Sequence, residues 1–204
     1  MAADGSIEQA IERLRAGRPV LLPTDTVYGL VGSPYRSADA SLVYRLKGRD
    51  EVQPTALLAA SLDQLFECVP ELRGRAGVIA RALLPGPFTL VLSNPARRFP
   101  WLNGTRLDAI GVRVPDLPAA AVRVVDAVGC VLATSANDPG GPSPASLDDV
   151  PARIREGCGA ELDVGRLPGT PSTVIDFTGA EPLVIREGAA PGAEAIDRAR
   201  RALA

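Results

Sequence analysis

The 204-residue chain contains no histidine. That absence excludes Ser-His-Asp and Cys-His nucleophile systems, His-ligated zinc and any proton relay built on an ordinary imidazole. Its three cysteines, Cys68, Cys130 and Cys158, are odd in number, far apart and without a C-x-x-C pair. Neither a disulfide framework nor a thiolate metal site is expected from them. Lysine is almost missing too: 21 of the 22 basic residues are Arg, and Lys47 is the exception. No apolar run is long enough to span a membrane, and Met1 to Ile7 lacks the basic region and apolar core of a leader, so a soluble, reducing, cytoplasmic setting is expected. With 24 acidic residues against 22 basic ones the net charge is −2, which gives no broad field toward nucleic acid or membrane. An enzyme of this composition works with cations, hydroxyls, carboxylates and backbone groups.

The length suits one domain with a sizeable core, expected over 1–204. Ser6-Ile7-Glu8-Gln9 has the form of a capping box, and the apolar spacing after it predicts a helix over 6–17. Further helices are predicted over 37–46, from 61, over 72–84, from Pro118 to Gly129, over 146–156 and over 191–203. Apolar runs at 20–22, 56–60, 88–92, 110–114, 130–133, 173–177 and 183–185 read as strands. Residues 93–108, punctuated by Asn, Pro and Gly, read as a surface excursion. Strands and helices mixed without strict βαβ alternation predict an α/β or α+β domain on a mixed twisted sheet.

Several segments place polar groups where strands end. Pro23-Thr24-Asp25-Thr26-Val27-Tyr28-Gly29-Leu30 carries two hydroxyls and a carboxylate out of a buried strand, which suits either a polar pocket or an ordinary turn. Leu46-Lys47-Gly48-Arg49 places two cations at a predicted helix C-terminus, where the dipole alone favours them. A chain that otherwise uses Arg has nevertheless kept one ammonium there, a compact charge with rotatable donors suited to phosphate oxygens. Ala133-Thr134-Ser135-Ala136-Asn137 offers hydroxyl, amide and backbone donors at a strand end, as anion recognition in an open α/β sheet requires, and a Ser/Thr turn equally. Ser172-Thr173-Val174 is similar. Arg113 and Arg186 sit in apolar strands, so each either reaches the surface or meets an anion. Neither a P-loop nor a convincing G-x-G-x-x-G is present, so any nucleotide is held by scattered cations and hydroxyls.

In order along the chain, Pro-Thr-Asp-Thr-Val-Tyr-Gly-Leu, Tyr-Arg-Leu-Lys-Gly-Arg, Leu-Leu-Pro-Gly-Pro-Phe-Thr-Leu-Val-Leu, Ile-Gly-Val-Arg-Val-Pro, Thr-Ser-Ala-Asn, Ser-Thr-Val-Ile-Asp and Ile-Arg-Glu-Gly resemble the YrdC-like family of L-threonylcarbamoyladenylate synthases over about residues 7 to 190. The resemblance implies a YrdC-like α/β fold, with a twisted mixed sheet flanked by helices around a deep cationic cavity. It implies a reaction of L-threonine, bicarbonate or CO₂, and ATP to give L-threonylcarbamoyladenylate and pyrophosphate, toward adenosine 37 of tRNA. By motif position Lys47, Arg49, Ser135 and Asn137 match the signature around the nucleotide and reacting groups. Thr26, Arg113 and Ser172 match positions that hold threonine, with Ala133 contributing backbone, and Ser143 and Arg186 match nucleotide contacts. Mg²⁺ is expected to arrive with ATP.

The length matches the short, single-domain bacterial form, which passes its adenylate to separate tRNA threonylcarbamoyl-transfer proteins and meets tRNA at most indirectly. Asp50, Gln53, Leu58, Leu117 and Pro139 depart from the family pattern and bear on substrate selectivity. Two other readings stay open: a paralogue forming a different carbamoyl or aminoacyl adenylate, and a non-enzymatic module binding double-stranded RNA. A sequence pI near 5.3 is not the basic footprint of the latter.

Overall fold

The computed structural model describes residues 4–204; Met1 to Ala3, the start of the segment read above for a leader, lie outside the described residues. In chain order the elements are α1 (Asp4–Arg15), β1 (Val20–Pro23), β2 (Tyr28–Gly32), α2 (Ser37–Lys47), β3 (Ala56–Leu58), α3 (Leu62–Cys68), α4 (Gly74–Leu83) and β4 (Phe88–Ser93). There follow β5 (Ala109–Arg113), α5 (Ala119–Val128), β6 (Val131–Ser135), α6 (Ala152–Gly157), β7 (Thr173–Asp176), β8 (Leu183–Arg186) and α7 (Gly192–Leu203). One eight-stranded sheet runs β1-β2-β6-β3-β5-β4-β7-β8. The β3–β5 and β4–β7 pairs are parallel and the other neighbours antiparallel, so the sheet is mixed as expected.

Side chains alternate across a strand with period two, and this alternation sorts the core into two layers. Leu21, Leu30, Leu57, Leu90, Leu92, Ile110, Val112, Leu132 and Ile175 point to one face, where Val43 and Tyr44 of α2, Ile79 and Leu83 of α4, and Ala195 and Ala199 of α7 cover them. Val20, Leu22, Val31, Leu58 and Val131 point to the other face and meet Ile7, Ala10 and Leu14 of α1 with Val124 and Val125 of α5. That second helical layer covers the β1, β2, β6 and β3 side of the sheet. On the same face Thr89 and Val91 of β4, Gly111 and Arg113 of β5 and Val174 of β7 line a cavity. Its floor is small because Ala133, Ala56, Gly111 and Val91 stand opposite one another in register across four strands.

Four local expectations are corrected. Ser6 lies inside α1 rather than capping it, since the helix already includes Asp4. Residues 28–32 form β2, a strand buried at every position, with no alternation to announce it. The helix expected over 146–156 is split: Ser146 and Asp149 close a capping box on a single 3₁₀ turn, Leu147–Asp149, and α6 starts after Pro151. The stretch 93–108 is partly internal, because Asn94, Leu102 and Asn103 are buried and Asn94 Nδ2 donates to the Arg98 carbonyl at 2.9 Å.

Candidate active site

A cavity of about 300 Å³ opens on the uncovered half of the second sheet face, and three guanidinium groups, Arg49, Arg113 and Arg186, stand in its wall. They come from places remote in sequence. Arg49 follows α2, whose last turn is closed by Gly48 in the left-handed region at φ 67°, so the chain reverses between Lys47 and Arg49. Arg113 ends β5 and Arg186 ends β8. Burial depresses the pKa of all three, and Arg186 is further lowered by the like charge of Arg49. The wall therefore carries three desolvated cations of like sign.

Each arginine is held by neutral or charged partners. Arg49 donates to Thr134 Oγ1 at 3.3 Å and the Pro54 carbonyl at 2.8 Å, and its Nε is buried without a partner. Arg186 donates through Nη2 to the Ser172 carbonyl at 2.7 Å and to Ser172 Oγ at 3.2 Å. Ser172 Oγ in turn shares a 2.8 Å bond with Thr89 Oγ1. Arg113 donates to Thr26 Oγ1 at 2.7 Å and makes a close ion pair with Asp25. Thr26 sits in the turn between β1 and β2, which Thr24 fastens by donating from Oγ1 to the Val27 carbonyl at 2.7 Å.

Lys47 lies behind this wall. It is 4% exposed, and its ammonium donates to the Ser135 carbonyl at 2.6 Å, to Asn137 Oδ1 at 2.7 Å and to the Asn137 carbonyl. Ser135 Oγ donates to Asn137 Oδ1 at 2.5 Å, and Asn137 Nδ2 donates to the Gly141 carbonyl at 2.6 Å. The ammonium thus ties the end of α2 to the end of β6 and to the loop beyond it. Burial, and then the nearby Arg49 charge, bring its pKa down to about 8. Arg153 of α6 braces the same junction from outside, donating to the Leu46 carbonyl at 2.6 Å and pairing with Asp138.

Of the residues singled out in the sequence, Arg49, Arg113, Ala133, Ser135, Ser172 and Arg186 line the cavity. Thr26 reaches it through Arg113, and Lys47 and Asn137 through Ser135. Ser143 is half-buried in the loop after Asn137 and is not part of the lining. Asp50 is exposed and accepts the Val52 amide at 3.0 Å, so its carboxylate serves a local turn outside the lining. Sequence reasoning missed Thr89, Arg153 and the floor residues other than Ala133. Thr89 was detectable as a hydroxyl alternating with Phe88, Leu90 and Leu92, on the strand face opposite to theirs.

The profile of the Sua5–YciO–YrdC family, described as "Telomere recombination", matches residues 12–188. The chain belongs to this family. A putative threonylcarbamoyl-AMP synthase of Mycobacterium leprae is 31% identical over 183 residues, covering 89% of this chain and 82% of that protein. The structure of Pyrococcus abyssi Sua5 complexed with L-threonine superposes with a TM-score of 0.78 at 30% identity, over 94% of this chain and 56% of that one. The chain thus spans a little over half of that longer protein. Escherichia coli YciO has the same TM-score of 0.78 at 26% identity and matches 91% of this chain and 90% of its own. These likenesses bear out the expected YrdC-like family and mixed α/β fold.

Proposed function

We propose that the chain is a threonylcarbamoyl-AMP synthase acting on L-threonine, bicarbonate and ATP. The observation that carries the reading is the convergence of Arg49, Arg113 and Arg186 on one cavity floored by small residues. A carboxylate, a carbamate and a triphosphate are the anions such a wall suits, and scattered guanidinium groups replace the missing phosphate loops. The naming of a 31% identical relative and the threonine complex of a 30% identical structure support it.

In this reading the threonine amine loses a proton and attacks CO₂ derived from bicarbonate, forming a C–N bond and a carbamate. A carbamate oxygen then attacks the α-phosphorus of ATP, and the bond to the β-phosphate oxygen breaks to release pyrophosphate. No imidazole is required. Catalysis is orientation of the two nucleophilic encounters plus stabilisation of phosphate charge. We assign the threonine carboxylate to Arg113, with Thr26, Ser172 and the Ala133 backbone around it. The nucleotide falls to Arg49, Ser135 and Arg186, with Ser143 joining from its loop. Lys47 and Asn137 hold the Ser135 strand end in place. ATP enters as its magnesium complex, the metal carried by the phosphates. The adenylate passes to separate proteins that modify tRNA, and the setting is the cytoplasm.

The deciding experiment is pyrophosphate release from ATP, with and without L-threonine, in bicarbonate and Mg²⁺. Release that depends on threonine is expected, and release indifferent to threonine sinks the reading. Lys47→Ala should lose about 10²-fold in turnover, because the Ser135 strand end is no longer held in place and a misplacement of about 1 Å is enough for such a loss. Substitution of other amino acids for threonine in the same assay tests the paralogue reading, to which the departures at Gln53 and Leu117 are relevant.

A further inference from the structure

Asp25 is the one carboxylate that the three cavity arginines contact among the described residues. Its side chain is 10% exposed, as is that of Arg113. The pair is incompletely satisfied: Asp25 Oδ2 and Arg113 Nε are both buried without hydrogen-bond partners. A buried ion pair of this kind is a poor source of stability, since two charges are desolvated and their remaining bonding capacity is unmet. Asp25 itself does not line the cavity, whereas Arg113 does. The pair therefore places a charged, oriented guanidinium at the cavity wall and a fixed counter-charge behind it.

The mounting of Asp25 is rigid. It lies in the four-residue turn between Pro23 and Tyr28, which are paired across β1 and β2. Thr24 Oγ1 accepts the amides of Thr26 and Val27, both at 3.2 Å, and the Thr26 carbonyl accepts the Gly169 amide at 2.9 Å. Thr26 Oγ1 and Asp25 Oδ1 both receive Arg113 Nη2, so one nitrogen is clamped by two adjacent residues of the turn. Without the carboxylate, Arg113 would face the like charge of Arg186 with only a hydroxyl to fix it.

We propose that Asp25 is a positioning residue: through Arg113 it sets the affinity and selectivity of the site for the carboxylate of the amino-acid substrate, leaving nucleotide affinity untouched. This rests on the reading of the cavity as a threonine and ATP site. The substitution Asp25→Asn keeps shape and removes charge. Binding of L-threonine and of ATP is measured separately by calorimetry, together with L-threonine amide, which lacks the carboxylate.

In Asp25→Asn the threonine Kd and KM should rise at least about tenfold, the loss of one charge-assisted bond, while ATP affinity stays within about twofold. Threonine amide should bind both proteins alike, a result that general loosening of the site cannot produce. Unchanged threonine affinity, or equal losses for threonine and ATP, overturns the proposal. Should Asp25→Asn fail to unfold cooperatively, Asp25→Glu displaces the charge by one methylene and is judged by the same two affinities. A wild-type protein that binds ATP but no threonine, and releases no threonine-dependent pyrophosphate, removes the underlying reading instead.

Discussion

A solitary lysine among arginines acquires a physical meaning from its burial. Arg49, Arg113 and Arg186 face a cavity, where a broad planar cation suits anions of several shapes. Lys47 faces backbone and amide oxygens in a space that its small ammonium fills with directed bonds to Ser135 and Asn137. Its proton makes folding depend on pH in a particular direction. The folded chain releases that proton near pH 8, whereas the unfolded chain keeps it until about the ordinary value of 10.5. Between these limits the unfolded state binds more protons, so this residue's contribution raises stability as pH increases. The stability of wild type relative to Lys47→Met should therefore grow from pH 8 toward 10.5, as measured by urea unfolding of both proteins. A constant difference across that window would mean that the ammonium is not desolvated as described. The sequence exposed Lys47 by its rarity, but could not tell whether it points at substrate or at the chain, because that depends on where β6 ends.

Among the elements, β8 is the one whose placement most directly shapes the site. Val174 of β7 pairs with Arg186, and Gly188 just beyond lies against the backbone of Pro171 and Ser172. A Cβ at Gly188 would stand 2.2 Å from the Pro171 carbonyl oxygen and 2.6 Å from that of Ser172. Neither is a side chain that can swing aside. Gly188→Ala should therefore cost about 1–3 kcal/mol in chemical denaturation, the scale of overpacking, and weaken ATP binding by pulling Arg186 from Ser172. Wild-type stability and ATP affinity in that variant would show that the two segments are not in contact. Most of the strands were legible because their apolar runs are short and bounded by Pro, Gly or Asn. β2 was not, since Tyr28 to Gly32 are buried throughout and contain two glycines. The helix read over 146–156 followed a true capping signal, but Pro151 restarts the chain after one 3₁₀ turn. The arginines were visible as charges inside apolar strands. Their convergence was not, because it depends on a strand order that runs β5-β4-β7-β8, and on Arg49 reaching across to Thr134 of β6.

The whole molecule carries a net charge of −2, yet concentrates three guanidinium groups in one cavity. Attraction for anions is therefore local, and ligand occupancy should register as stability. At about one hundred times its Kd, a ligand that binds only the native state adds roughly 2.7 kcal/mol. For a chain of this size that corresponds to a Tm rise of about 5–11 °C. MgATP with threonine should produce such a shift in differential scanning fluorimetry, and Lys47→Ala should blunt it. A shift with duplex RNA that vanishes with salt, and none with MgATP, would favour the RNA-binding reading.

The strand order also has a consequence for how the protein is made. The cavity floor uses β3, β4, β5 and β6, all present once residue 135 has been synthesised, whereas Arg186 arrives with the last strand. The floor residues and the last guanidinium of the wall thus come from separate stretches of the chain, the second made about fifty residues after the first. Any chain that stops before residue 186 therefore keeps every floor residue and loses the third guanidinium of the wall.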